Sequence, residues 1–142
     1  MYTIVAASQK GGSGKTTLSG HLAVEAQRSG AGAIALIDTD PQGSLAHWWN
    51  ARQAPEPHFV KAGLMDLEES LAKLEQAGVR IAVIDTPPAI TQSISRVVAH
   101  ADLVLVPTRP SPHDLRAEVA TVDIADRHGK QVVFVINAAT AR

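Results

Sequence analysis

Residues 10–17 read Lys10-Gly11-Gly12-Ser13-Gly14-Lys15-Thr16-Thr17, a set of types and spacings suited to wrapping a phosphate chain. Glycines let the backbone close around an anion with its amides turned inward, and a helix starting directly after them adds partial positive charge at its N-terminus. Within such a loop Lys15 can reach the β- and γ-phosphates of a nucleotide, and the Thr16 hydroxyl can ligate Mg²⁺. The general Gly-x-x-x-x-Gly-Lys-[Ser/Thr] pattern needs its first glycine at position 9, where Gln9 stands. The match is closer to the variant Lys-Gly-Gly-x-Gly-Lys-Thr-Thr, in which Gly11 and Gly12 supply the flexibility and Lys10 a second cation. A glycine-rich turn that holds nothing is the competing reading. Three acidic residues are further candidates: Asp38 and Asp40 in Ile37-Asp38-Thr39-Asp40-Pro41-Gln42-Gly43-Ser44, and Asp85 in Ile81-Ala82-Val83-Ile84-Asp85-Thr86-Pro87-Pro88. A hydrated Mg²⁺ needs carboxylates beside a triphosphate, and hydrolysis needs a polar group that sets a water in line. Acids that merely end buried strands in water, and an Asp40 that caps a turn before Pro41, are the plainer alternatives.

The elements that must position these residues are legible as alternating patterns. Tyr2–Ala7, Ala33–Ile37, Ile81–Ile84, Leu103–Val106 and Val132–Ile136 are continuous apolar runs rich in Val and Ile, as expected of parallel strands covered on both faces. Thr16–Ser29 carries Leu18, Leu22 and Ala26 at four-residue spacing and is closed by Gly30, which reads as a helix. Asp66–Ala77 opens with an Asp-x-x-Glu capping box and places Leu67, Leu71 and Leu74 on one face. Ser111 followed by Pro112 marks the start of a helix that runs to Gly129 with Leu115, Val119 and Val122 inward. Shorter helices are expected over Ser44–Arg52 and Gln92–Ala99, and Ala54–Pro57 reads as a surface loop. The fold class is therefore α/β, a doubly wound, mostly parallel sheet with helices on both faces. Residues 1–142 are expected to form a single domain. The chain stops at Asn137–Arg142, after the fifth expected strand and without a covering helix, so it is either a natural short form or part of something longer.

Composition narrows the classes. A net charge of -1 offers no chain-wide attraction to nucleic acid or an anionic membrane, so any basic patch must be local. There is no cysteine, which excludes disulfides, iron–sulfur clusters and thiolate metal sites and suits a reducing cytoplasm. No signal peptide is read at the start, and no apolar run approaches the ~20 residues of a membrane-spanning helix. A soluble, cytoplasmic protein is expected.

The loop at residues 10–17 resembles the deviant Walker A motif of the ParA/MinD group of P-loop ATPases. The Asp38–Gln42 segment is similar to the Asp-x-Asp-Pro-Gln of ParA partition proteins, and Ile81–Pro88 resembles their Walker B strand. The three segments come in the right order and span most of the chain, each at the carboxyl end of a strand, where open α/β sheets bind ligands.

The resemblance implies an ATPase with ATP and Mg²⁺ as cofactors. It implies that Gly11, Gly12, Ser13, Gly14, Lys15, Thr16 and Thr17 cradle the nucleotide, that Thr16 ligates the metal, and that Asp38 and Asp85 hold waters on it. Lys10, Lys15 and Asp40 would be the catalytic residues, with Asp40 orienting the attacking water. Lys10 would reach across a two-fold interface to the partner's phosphates, making ATP the glue of a homodimer. Val106–Pro112 resembles the family's proline-containing loop near the nucleotide, and Asn137 an asparagine that contacts adenine; a plain turn residue is the other reading of Asn137. The Ala-Ala-Thr after Asn137 is not the Lys-x-Asp of guanine readers. The family's role in DNA segregation or cargo positioning implies an activating ParB-like partner and nonspecific DNA binding, although its basic surface is not visible here. A MinD-like positioning ATPase would need a C-terminal amphipathic helix, which is not seen, so no membrane contact is expected. An ATP-dependent metabolic synthetase of the same superfamily, against which the Asp-Pro-Gln segment argues, and a binding module that holds ATP without turning it over are the remaining alternatives.

Other residues read as structural. The six histidines lack metal-ligand spacing. Trp48 and Trp49 point to different faces, one core and one semi-exposed. The Glu68/Glu69/Lys73 and Arg116/Glu118 clusters look like solvated helix faces.

Overall fold

The computed structural model describes residues 1–88 and 91–139; Thr140, last of the three residues after Asn137, lies outside them. The elements run β1 (Tyr2–Ala6), α1 (Lys15–Arg28), β2 (Ile34–Asp38), α2 (Ser44–Asn50), β3 (His58–Lys61), α3 (Leu67–Gln76), β4 (Ile81–Asp85), α4 (Thr91–Val98), β5 (Leu103–Thr108), α5 (Pro112–Ala117), α6 (Val119–Arg127) and β6 (Gln131–Ile136). They form a six-stranded sheet of order β3-β2-β4-β1-β5-β6, and every neighbouring pair is parallel. Parallel neighbours need crossover connections, and the helices that supply them cover both faces.

The side-chain alternation of the strands divides the core accordingly. Ile34, Leu36 and Val83 pack with Ala23 of α1 and Leu45 of α2 on one face. Val5, Ile37, Ile84, Val104 and Val106 pack with Leu71 of α3, Ile94 and Val97 of α4 and Ile124 of α6 on the other. Gly20 of α1 has a packing reason, because a Cβ there would lie 2.9 Å from the Trp48 ring. Both tryptophans are half-buried, so neither takes the core role expected for one of them. Trp48 lies against α1, while Trp49 stacks on Phe59 at 5.4 Å and donates its Nε1 proton to the Pro57 carbonyl at 3.0 Å.

Four expectations change. β3 is a sixth strand that follows the Ala54–Pro57 loop; it is a short edge strand with polar ends and lacks the apolar run that marks the others. Asp66 stands at the N-cap of α3 but makes no side-chain capping bond. The helix expected from Ser111 to Gly129 is broken at Glu118, and its inward face is Asp114, Glu118, Thr121, Ile124 and Ala125. Leu115 and Val119 point to solvent, Val119 with 57% of its surface exposed. Its start is as expected: Ser111 Oγ accepts from the Asp114 amide at 3.1 Å, with Pro112 in the first turn. Finally, β6 is an edge strand with Val133, Phe134 and Ile136 exposed rather than covered on both faces. Among the described residues no helix is long and apolar enough to cross a membrane.

Candidate functional site

Strand register brings the candidate residues together before any side chain is considered. Asp38 and Asp85 end adjacent strands as register partners, and Ala6, the last residue of β1, is the partner of Asp85 on its other side. The loop leaving β1 therefore begins beside both carboxylates, at the carboxyl edge of the sheet.

The glycines of that loop adopt conformations that other residues resist. Gly12 has φ of 72° and Gly14 of 102°, and Gly14 is the N-cap from which α1 starts at Lys15. Lys15 is buried in the first turn, and its Nζ donates to the Lys10 carbonyl at 3.4 Å. Burial pushes its pKa down, opposed by the negative charges of Asp85, Glu118 and Asp40. Arg109, from the proline-containing loop after β5, donates to the Gly12 carbonyl at 3.1 Å.

Thr16 Oγ1 donates to Asp85 Oδ2 at 2.7 Å, while Asp85 Oδ1 is buried and has no hydrogen-bond partner among the described residues. Burial pushes the Asp85 pKa up from 3.8 to about 6; the Thr16 hydroxyl and Lys15 oppose this, and the nearby Asp38 charge adds to it. Asp38 is buried too, with Oδ1 accepting from the Asp40 amide at 3.0 Å and Oδ2 from the Ala46 amide at 3.1 Å. Its pKa is also raised, chiefly by burial, against those two bonds. A buried carboxylate oxygen with no donor, next to a threonine hydroxyl and a second acid, forms the all-oxygen donor set that Mg²⁺ prefers. The residues present thus fit the metal: Thr16 and Asp85 are placed for direct or water-mediated ligation, while Asp38, tied to two amides, suits an outer role.

Asp40 is half-buried and its Oδ1 accepts from the Gln42 amide at 2.9 Å, closing the turn around Pro41. The Lys10 ammonium is ion-paired with Asp114 of the same chain. Asn137 follows β6 and lies over the loop, its Nδ2 donating to the Ser13 carbonyl at 3.1 Å. Its backbone amide is tied to Thr108 and its Oδ1 to the Ala138 amide, so the side chain is held from both ends. Beside it opens a cavity of about 180 Å³ walled by Gly14, Leu18, His21, Pro107 and Val135, next to the glycine loop and partly apolar. Thr17 lies on its rim.

Sequence reasoning missed a second polar layer behind the loop. Glu118, expected on a solvated face, is 1% exposed; it accepts from Ser8 Oγ at 2.6 Å and from Thr121 Oγ1 at 3.1 Å. The signal was present as Asp114, Glu118 and Thr121 at helical spacing, displaced by one residue from the apolar positions that drew attention.

Comparison with known proteins places the chain in a family. The model of the CobQ/CobB/MinD/ParA nucleotide binding domain matches residues 4–120. A carboxysome-distribution protein A of Halothiobacillus neapolitanus is 33% identical over 129 residues, covering 88% of this chain and 58% of that protein. Protein ParA of Rhizobium radiobacter is 35% identical over 118 residues, covering 80% of this chain and 51% of its own length. The chain thus spans about half the length of the curated relatives it matches. Among solved structures, an ATP complex of Cyanothece McdA superposes with a TM-score of 0.73 at 21% identity, over 96% of this chain and 70% of that one, a likeness of fold. The match over residues 4–120, the two curated relatives and the parallel sheet with its phosphate loop lead to one assignment: the chain belongs to the CobQ/CobB/MinD/ParA nucleotide-binding domain family.

Proposed function

We propose that this chain is an ATPase that binds Mg-ATP at residues 10–17, dimerises around the bound nucleotide and hydrolyses it slowly to position a cargo inside the cell. The observation that carries the reading is the convergence of Lys15, the Thr16–Asp85 hydrogen bond and the unpartnered Asp85 Oδ1 at one end of the sheet. The chemistry then divides among the residues. The amides of Gly11, Gly12, Ser13 and Gly14 and the start of α1 hold the phosphates, with Lys15 neutralising charge between the β and γ positions. Bound Mg²⁺ would neutralise charge on the same phosphates. Thr16 and Asp85 would hold it, with Asp38 behind them, and Thr17 completes the first turn around the phosphates. Asp40 holds a water in line by releasing or sharing its bond to the Gln42 amide. Asn137 swings from the Ser13 carbonyl to a base edge in the adjoining cavity. Lys10 leaves Asp114 and contacts the phosphates of a second copy, which makes the dimer depend on ATP.

The cargo is proposed from the relatives' names, one concerned with carboxysome distribution and one a ParA. In this reading an activating partner protein, of the ParB kind or another, stimulates turnover, and nonspecific DNA serves as the track in the cytoplasm.

The experiment is to measure the mass in solution of the Asp40→Ala and Lys10→Ala proteins with Mg-ADP and with Mg-ATP. An ATP-dependent dimer is expected for the first and none for the second; monomers throughout refute the switch. Adding duplex DNA at low and high salt tests the track, because phosphate contacts weaken steeply as salt rises.

A further inference from the structure

Between Ser111 and Arg127 the chain turns a polar stripe, not its leucine and valine, toward the phosphate loop. Asp114, Glu118 and Thr121 are all buried and recur at steps of four and three residues along one face. A buried carboxylate survives there only if hydrogen bonds compensate for lost hydration. Both Glu118 oxygens are occupied, Oε1 by the Ser8 hydroxyl and Oε2 by the Thr121 hydroxyl. Ser8 in turn accepts from the Lys10 amide at 3.1 Å. A continuous line of bonds thus runs from Thr121 through Glu118 and Ser8 to the Lys10 backbone, one helical turn from the Asp114–Lys10 ion pair.

We infer that Glu118 is a positioning residue for the phosphate loop, setting the Lys10 backbone through Ser8 without touching nucleotide. The inference rests on the Mg-ATP reading of that loop. Its logic is the single proton of the Ser8 hydroxyl. Donated to Glu118 at 2.6 Å, that proton leaves an oxygen lone pair aimed at the Lys10 amide. Without Glu118 the hydroxyl turns toward the Lys10 carbonyl, 3.5 Å away, and meets a group that already accepts from Lys15 at 3.4 Å. The amide and carbonyl of Lys10 are therefore both fixed, one by Glu118 through Ser8 and the other by the phosphate-binding lysine. Glu118 also places negative charge near Lys15, which helps that ammonium stay protonated in its buried site.

The test is calorimetric titration of Mg²⁺ with a non-hydrolysable ATP analogue into the wild type and into Ser8→Ala, Glu118→Ala, Glu118→Gln and the Ser8→Ala/Glu118→Ala double variant. Thermal melts of each report folding. Ser8→Ala and Glu118→Ala are each expected to weaken binding about tenfold, the scale of one charge-assisted hydrogen bond. The double variant should bind no more weakly than Glu118→Ala alone, because Ser8 acts only through the line of bonds that Glu118 completes. Glu118→Gln should recover most of the affinity, its amide oxygen accepting from Ser8 and its NH₂ donating to Thr121. Unchanged affinity in folded Glu118→Ala, or losses that simply add, overturn the inference while leaving the parent reading intact. If Glu118→Ala does not fold, Ser8→Ala decides, and undiminished binding by it is equally fatal. A wild type that takes up no nucleotide removes both readings together.

Discussion

Asp85→Asn should stabilise the protein near neutral pH and abolish the site it belongs to. The carboxyl is 1% exposed, has one oxygen without a donor, and has a pKa raised from 3.8 to about 6, mainly by burial. An acid whose pKa is higher folded than unfolded keeps its proton in the native state after the unfolded chain has lost it. Stability from this source is complete below pH ~4 and is lost as pH rises through ~6. The raised value corresponds to about 3 kcal/mol in total, of which about 2 kcal/mol falls between pH 4.5 and 7.5. Asp38, also raised by burial, slopes the same way and is common to both proteins. The measurement is urea unfolding of wild type and Asp85→Asn at those two pH values in the absence of nucleotide and metal. The difference in stability should shift by about 2 kcal/mol in favour of the variant at the higher pH. Mg-dependent nucleotide binding by the variant should fall sharply. Parallel pH profiles would show that Asp85 ionises no differently in the folded chain, and the argument from its burial would fail.

Other changes separate the site from its support. Gly14→Ala places a Cβ 2.1 Å from Asn137 Nδ2 at a φ of 102°, so it should lower stability by about 2 kcal/mol and displace Asn137, read by melting and by nucleotide titration. Thr16→Val leaves both Asp85 oxygens unpartnered; a loss of about 1–3 kcal/mol in apo stability is expected together with weakened metal-dependent binding. Val119→Ala should change stability by less than about 0.5 kcal/mol, whereas Ile124→Ala on the other side of the same helix should lose about 2–5 kcal/mol. Equal losses at the two positions would contradict the one-residue rotation of that helix.

The loop at residues 10–17 was legible as a strand-to-helix turn because it is local. Its glycines, Lys15 and Thr16 are contiguous, and an apolar run before them and a helical pattern after them define that turn. Asp38 and Asp85 were legible for a related reason, since each follows directly on an apolar run, and parallel register aligns the ends of neighbouring strands. The doubly wound sheet followed from strand and helix alternating along the chain.

What sequence alone could not supply is which chemically similar surface meets which. In residues 112–127 two stripes lie one residue apart, Leu115/Val119 and Asp114/Glu118, and apolar character favoured the first as the buried one. The second is buried because Ser8 and Lys10, more than 100 positions away in the chain, offer a donor and a cation to meet the carboxylates. β3 was invisible because its only apolar residues are Phe59 and Val60, too short a run to mark a strand apart from its pairing with β2. β6 carries the apolar run of a covered strand yet is exposed, because composition records what a residue could bury and only packing decides what lies against it.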